Sequence, residues 1–97
     1  MNSIQNTFNL DGKVAIITGS SKGIGKSIAQ GLAEQGATVV ISSRSQDAVD
    51  EVVREFKDAG LKAVGIACHI GQSDQREALV KQVIDQCGGI DILVNNA

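Results

Sequence analysis

The chain has no proline, no tyrosine and no tryptophan, and only two phenylalanines, two cysteines and one histidine among its 97 residues. Without proline, and with no repeat or low-complexity run, nothing marks a linker, so these residues make one domain or part of one. Cys68 and Cys87 form no CxxC pair and have one histidine in the whole chain for company, which excludes a disulfide framework and a zinc site. Both are expected as small core residues in a reducing, cytoplasmic setting, and no metal ligand is assigned. No window approaches the ~20 apolar residues that span a bilayer. Residues 1–8 carry neither the basic start nor the apolar centre of a secretory signal, so no membrane partner is expected. The net charge of −2 is spread over interspersed acids and bases. That leaves no clustered basic face, and no nucleic-acid partner is expected.

What remains is 42% hydrophobic and strongly patterned. The apolar runs at 14–17, 39–41 and 90–94, with a weaker one at 63–67, are continuous rather than alternating. Such runs suit strands covered on both faces, as in a parallel sheet. Between them lie three stretches of helical length. The first repeats Ile24, Ile28 and Leu32 every four residues, with Ala29 and Ala33 beside them, and stops at Gly36. The second carries Val49, Val52, Val53 and Phe56 and stops at Gly60. The third starts from Ser73 as N-cap, carries Leu79, Val80, Val83 and Ile84, and stops at Gly88. The order β-α-β-α-β-α-β predicts an α/β fold with a doubly wound parallel sheet.

The first strand breaks into a turn with glycines at 19, 23 and 25 that opens a helix. Three glycines in seven residues weaken a helix start by about 1 kcal/mol each relative to alanine. A tight turn with no ligand leaves that cost unexplained. A mononucleotide P-loop is suggested by Gly25-Lys26-Ser27, but that motif encloses four residues between its glycines and here there are five. One residue of slip turns Lys26 about 100° around the helix, which makes it a solvated surface lysine. The remaining reading is a dinucleotide site, with phosphates against the amides at the positive end of the helix.

Specific motifs favour that last reading. Thr18-Gly-Ser-Ser-Lys-Gly-Ile-Gly25 resembles the TGxxxGxG signature of the short-chain dehydrogenase/reductase family. Asn95-Asn96-Ala97 resembles the opening of its NNAG motif, and residues 10–17 resemble its approach to the first strand. The resemblance covers nearly the whole chain and implies the N-terminal part, residues 1–97, of a larger Rossmann-like domain. It implies that Gly19 makes the turn, Gly23 admits the pyrophosphate and Gly25 lets the helix pack closely. Ser21 and the backbone of Ile24 contact phosphate or ribose oxygens. Asn96 and Ala97 line the adenosine ribose, while Asn95 ties neighbouring strands together.

Cofactor choice is read at the end of the second strand, where an NAD site usually carries an acid. Here Ser42-Ser43-Arg44 stands in that place, and the next acid is Asp47. Arg44 offers a planar fork to a 2′-phosphate, Lys22 adds a point charge, and Ser43 brings no repelling carboxylate. NADP(H) is therefore the expected cofactor. After the third strand, where the family commonly has Asp and an apolar residue, this chain has His69-Ile70. Neutral His69 can accept from the adenine amine and Ile70 can serve through its backbone, or His69 simply caps the strand.

The family moves a hydride between nicotinamide and a carbonyl or alcohol, using a serine, a tyrosine and a lysine in the half that would follow Ala97. With no tyrosine in the chain, no catalytic residue is assigned, and the 97 residues alone are expected to be inactive. The parent is expected to be a homo-oligomer, dimer or tetramer, acting on a small carbonyl or alcohol. The alternative is a dinucleotide-binding module without chemistry.

Overall fold

The structure is a computed structural model that describes residues 9–69 and 72–96. The stretch read for a signal, 1–8, and the site candidates Ile70 and Ala97 lie outside the described residues. Among the described residues four strands, β1 (Val14–Thr18), β2 (Thr38–Ser42), β3 (Ala63–Gly65) and β4 (Ile92–Val94), alternate with three helices. These are α1 (Gly23–Glu34), α2 (Gln46–Asp58) and α3 (Ser73–Cys87). The strands form one parallel sheet in the order β3-β2-β1-β4, with Ile16 opposite Val40 and Leu93, and Val40 opposite Val64. The strand order reverses direction between β1 and β4. In open α/β sheets such a switch point opens a crevice beyond the carboxyl ends of the strands.

Both faces of the central strands are covered, which is why β1 and β2 read as unbroken apolar runs. On one face Ala15, Ile17, Val39, Ile41 and Ala63 pack with Ala29 and Ala33 of α1 and with Val49, Val52 and Phe56 of α2. On the other, Val14, Ile16, Val40, Ile66 and Cys68 pack with Leu79 and Val83 of α3. Helices α1 and α2 end in paired bonds that satisfy their last carbonyls. Ala37 N–H donates to Leu32 O and Gly36 N–H to Ala33 O; Leu61 N–H donates to Phe56 O and Gly60 N–H to Lys57 O.

Several expectations need correction. The inward stripe of α1 is Gly25, Ala29 and Ala33. Ile28 and Leu32 are half-buried flankers and Ile24 is 74% exposed. Small residues at four-residue spacing bring this helix close to the sheet, and the larger side chains are displaced to its sides. Strand β4 is not buried on both faces: it pairs with β1 on one side, and Leu93 is 65% exposed. On α3 only Leu79 and Val83 are buried, with Val80 and Ile84 facing outward. Its N-cap is Gln72, without a side-chain capping bond, and Ser73 is already helical. Strand β3 is shorter than the apolar run, yet the N–H groups of Ile66 and Cys68 continue its pairing to the carbonyls of Ile41 and Ser43.

Gly31 lies exposed inside α1, and a Cβ built there meets nothing within 4 Å. Gly31→Ala is expected to stabilise the chain by about 0.5–1 kcal/mol through reduced backbone entropy of the unfolded state. Thermal unfolding followed by circular dichroism should show the midpoint rising by about 4 °C.

Candidate functional site

The turn after β1 is built around two glycines in left-handed backbone, Gly19 at φ 63° and Gly23 at φ 61°. Other residues strain there. The three glycines have different surroundings. A Cβ on Gly19 would sit 2.9 Å from the carbonyl oxygen of Asn96. One on Gly25 would run into the carbonyl oxygen of Gly19 and lie 2.5 Å from Asn96 Nδ2. A Cβ on Gly23 would meet nothing within 4 Å, so that side of its backbone is open to an approaching group.

Polar side chains hold this turn against its neighbours. Thr18 Oγ1 accepts from Asn96 N–H at 2.9 Å and lies 3.3 Å from Asn95 Oδ1 and 3.4 Å from Val94 O. Asn95 thereby ties the end of β4 to β1. Asn96 Nδ2 donates to Gly19 O at 3.4 Å, so the Asn96 side chain addresses the glycine loop itself. Asp91 works at the other end of the same strand pair. Its Oδ2 accepts from Val14 N–H at 2.9 Å, while its own N–H donates to Val14 O at 2.9 Å.

Helix α1 begins with its amides open. Its N-cap, Lys22, is extended (φ −162°) and makes no side-chain cap bond, and no acid stands in the first turn. Helix α2, by contrast, is capped by Ser45, whose Oγ accepts from Ala48 N–H at 3.2 Å, and carries Asp47 in its first turn. The first amides of a helix lack intrahelical partners and sit at the positive end of its dipole. In α1 no N-cap side chain takes them up.

Beside the loop is a cleft of about 270 Å³ lined by Thr18, Gly19, Ser21, Lys22, Ser42, Ser43, Arg44 and Cys68. One wall is the glycine loop and the other is the end of β2. Five of the site residues read from sequence therefore meet here: Gly19, Ser21, Lys22, Ser43 and Arg44. Both cations are exposed, and no acid is among the described residues of the lining. Gly23 and Ile24 instead border a separate groove along α1, with Ser27, Ile28 and Gln30. In that groove Lys26 Nζ lies 2.8 Å from Glu55 Oε2. Lys26 is thus ion-paired across to α2 rather than simply solvated, and it faces away from the cleft. His69 is exposed and outside the lining, and its backbone N–H donates to Gln75 Oε1 at 2.7 Å.

Cys68 is a buried core residue, as expected from the sequence, and also forms part of the cleft wall. Its thiol donates to Gln75 O at 3.4 Å. Burial pushes its pKa up, with Arg76 opposing, and burial likewise raises that of Cys87. Both thiols therefore stay protonated and unreactive at neutral pH. Ser20 and Ser42 were missed as site-forming residues. The available signal was polar side chains at buried strand ends: Ser20 is 0% and Ser42 2% exposed.

The comparisons with known proteins fit this geometry. A family model described as short chain dehydrogenase matches residues 13–97. The human dehydrogenase/reductase SDR family member 2, mitochondrial, is 48% identical over 88 residues, covering 91% of this chain and 31% of the relative. The crystal structure of hydroxysteroid dehydrogenase from Escherichia coli superposes with a TM-score of 0.90 at 46% identity, covering 93% of this chain and 38% of that one. A metagenomic short-chain oxidoreductase in complex with NADP gives a TM-score of 0.86 at 42% identity, covering 91% of this chain and 40% of that one. The chain spans about a third of the length of the curated relatives it matches.

Proposed function

Because the chain belongs to the short-chain dehydrogenase/reductase family, we propose that it forms the cofactor-binding part of an NADP(H)-dependent oxidoreductase interconverting a carbonyl and an alcohol. The fit to a dinucleotide rests on the loop. Open space at Gly23 and uncapped α1 amides suit a pyrophosphate, which needs close backbone approach and N–H donors. The observation that carries the NADP(H) preference is the shared cleft of Lys22 and Arg44, with serine where an acid would repel a 2′-phosphate.

When bound, the nicotinamide supplies or accepts the hydride. The residues of this chain bind and orient. Lys22 and Arg44 hold the 2′-phosphate, Ser21 and Ser43 offer hydroxyls to the adenosine end, and the loop amides hold the diphosphate. His69 and Ile70 are assigned to the adenine, and Asn96 and Ala97 to its ribose. Proton transfer is assigned to a tyrosine outside these 97 residues, which contain none. The same reading gives the parent a small-molecule carbonyl or alcohol substrate, a homo-oligomeric state and a cytoplasmic setting.

Calorimetric titration of the chain at low salt tests the reading. NADPH is expected to bind at least about tenfold more tightly than NADH, a difference of ~1.4 kcal/mol. The gap should narrow as salt screens the two exposed cations. Equal affinities, or a preference for NADH, would overturn the NADP(H) reading.

A further inference from the structure

Gly19, Ser21 and Lys22 line the 2′-phosphate cleft, but Ser20 between them does not: it is fully buried and bonds in the other direction. Its N–H donates to Ser42 O at 3.0 Å, and its Oγ accepts from Ser42 N–H at 2.9 Å. The hydroxyl proton is directed to Ile17 O at 2.6 Å, with Ser42 O at 3.5 Å. Ser20 thus bonds reciprocally to one residue of β2 while anchored to the end of β1. Ser42 is the last residue of β2, followed by Ser43 and Arg44. Lys22 and Arg44 each stand two residues from this pair of bonds, on opposite walls of the cleft.

We infer that Ser20 is a positioning residue that sets the spacing of the two cationic walls, by clasping the glycine loop to the end of β2. The inference rests on the NADP(H) reading above. Its physical basis is the buried Ser20 hydroxyl, which accepts from the Ser42 amide. That amide also donates to Ile17 O along the β1–β2 ladder, so the Ser20 hydroxyl sits against both strand ends. Removing it deletes two buried bonds and leaves a void into which the loop and the strand end resettle. A shift there changes the distance between Lys22 and Arg44. It leaves the diphosphate contacts of the loop amides in place. A ligand gripped by both walls is therefore affected more than one gripped by the loop alone.

The test is the ratio of NADPH to NADH affinity in the full chain, measured by calorimetry, with folding checked by circular dichroism. Ser20→Ala is expected to weaken NADPH about tenfold and NADH by about twofold or less, each tenfold corresponding to ~1.4 kcal/mol. Ser20→Thr, which keeps the oxygen, is expected to restore the wild-type ratio. If Ser20→Ala does not fold, Ser20→Cys carries the test. It keeps the shape with a weaker acceptor and is expected to lose about threefold in the same ratio. Equal weakening of both cofactors indicates a merely structural role and overturns the inference, as does an unchanged ratio or a threonine variant that fails to rescue. A wild-type chain without NADPH preference instead refutes the cofactor reading, so the two failures are distinguishable.

Discussion

Replacing Arg44 by Asp together with Lys22 by Ser is expected to weaken NADPH binding by about a hundredfold while leaving NADH within severalfold. The argument is one of charge. A hydrogen bond to a charged group contributes about 1.5–3 kcal/mol. Both cations are exposed, so the lower figure applies to each. Two such losses sum to ~3 kcal/mol, or about a hundredfold. The new carboxylate at position 44 adds repulsion toward a 2′-phosphate and offers an acceptor to a 2′-hydroxyl. Preference should therefore invert. Titration of the double variant with both cofactors measures this directly. A double variant that keeps the wild-type preference removes the assignment of Lys22 and Arg44 to the phosphate. Raising the salt should shrink the difference between wild type and variant, since exposed charges are screened over about 8 Å at physiological ionic strength.

That those two cations meet at one cleft is legible in the sequence, because each sits at a fixed offset from a recognisable strand end. The same holds for the central strands. Burial on both faces leaves no room for polar alternation, so β1 and β2 announce themselves as apolar runs. Elements at the margin are harder. Leu93 looks like a core residue by type but is 65% exposed, on a strand that among the described residues pairs with β1. The stripe of α1 differs from the sequence expectation because size and hydrophobicity point to Ile24, Ile28 and Leu32. Close approach to the sheet selects Gly25, Ala29 and Ala33 instead. Least legible are the polar residues whose partners are far along the chain. Asp91 bonds to Val14 and Ser20 to Ser42. Each of these residues is ordinary in its own local window. Only the tertiary fold makes it a clasp.

The second large effect is expected at Gly25. Adding one methyl group there should destabilise the chain by about 3 kcal/mol, at the upper end of overpacking costs. The reason lies in what the methyl meets. The glycine is buried at the start of α1, and a Cβ would collide with the carbonyl oxygen of Gly19, a backbone atom that cannot rotate away. It would also press on Asn96 Nδ2, which donates to that same oxygen. Relief requires the helix to leave the sheet or the loop to leave Asn96, and either movement misaligns the amides proposed to hold the diphosphate. Gly25→Ala should therefore lower the thermal midpoint by about 12–24 °C, taking 4–8 °C per kcal/mol for a domain of this size. NADPH binding should fall below detection at micromolar concentrations. The comparison with Gly31→Ala makes the test sharp. The same atom added six positions along the same helix meets open solvent and is expected to raise the midpoint. If both substitutions shift stability in the same direction, contact between the glycine loop and α1 does not determine the site, and the packing account of Gly25 is wrong.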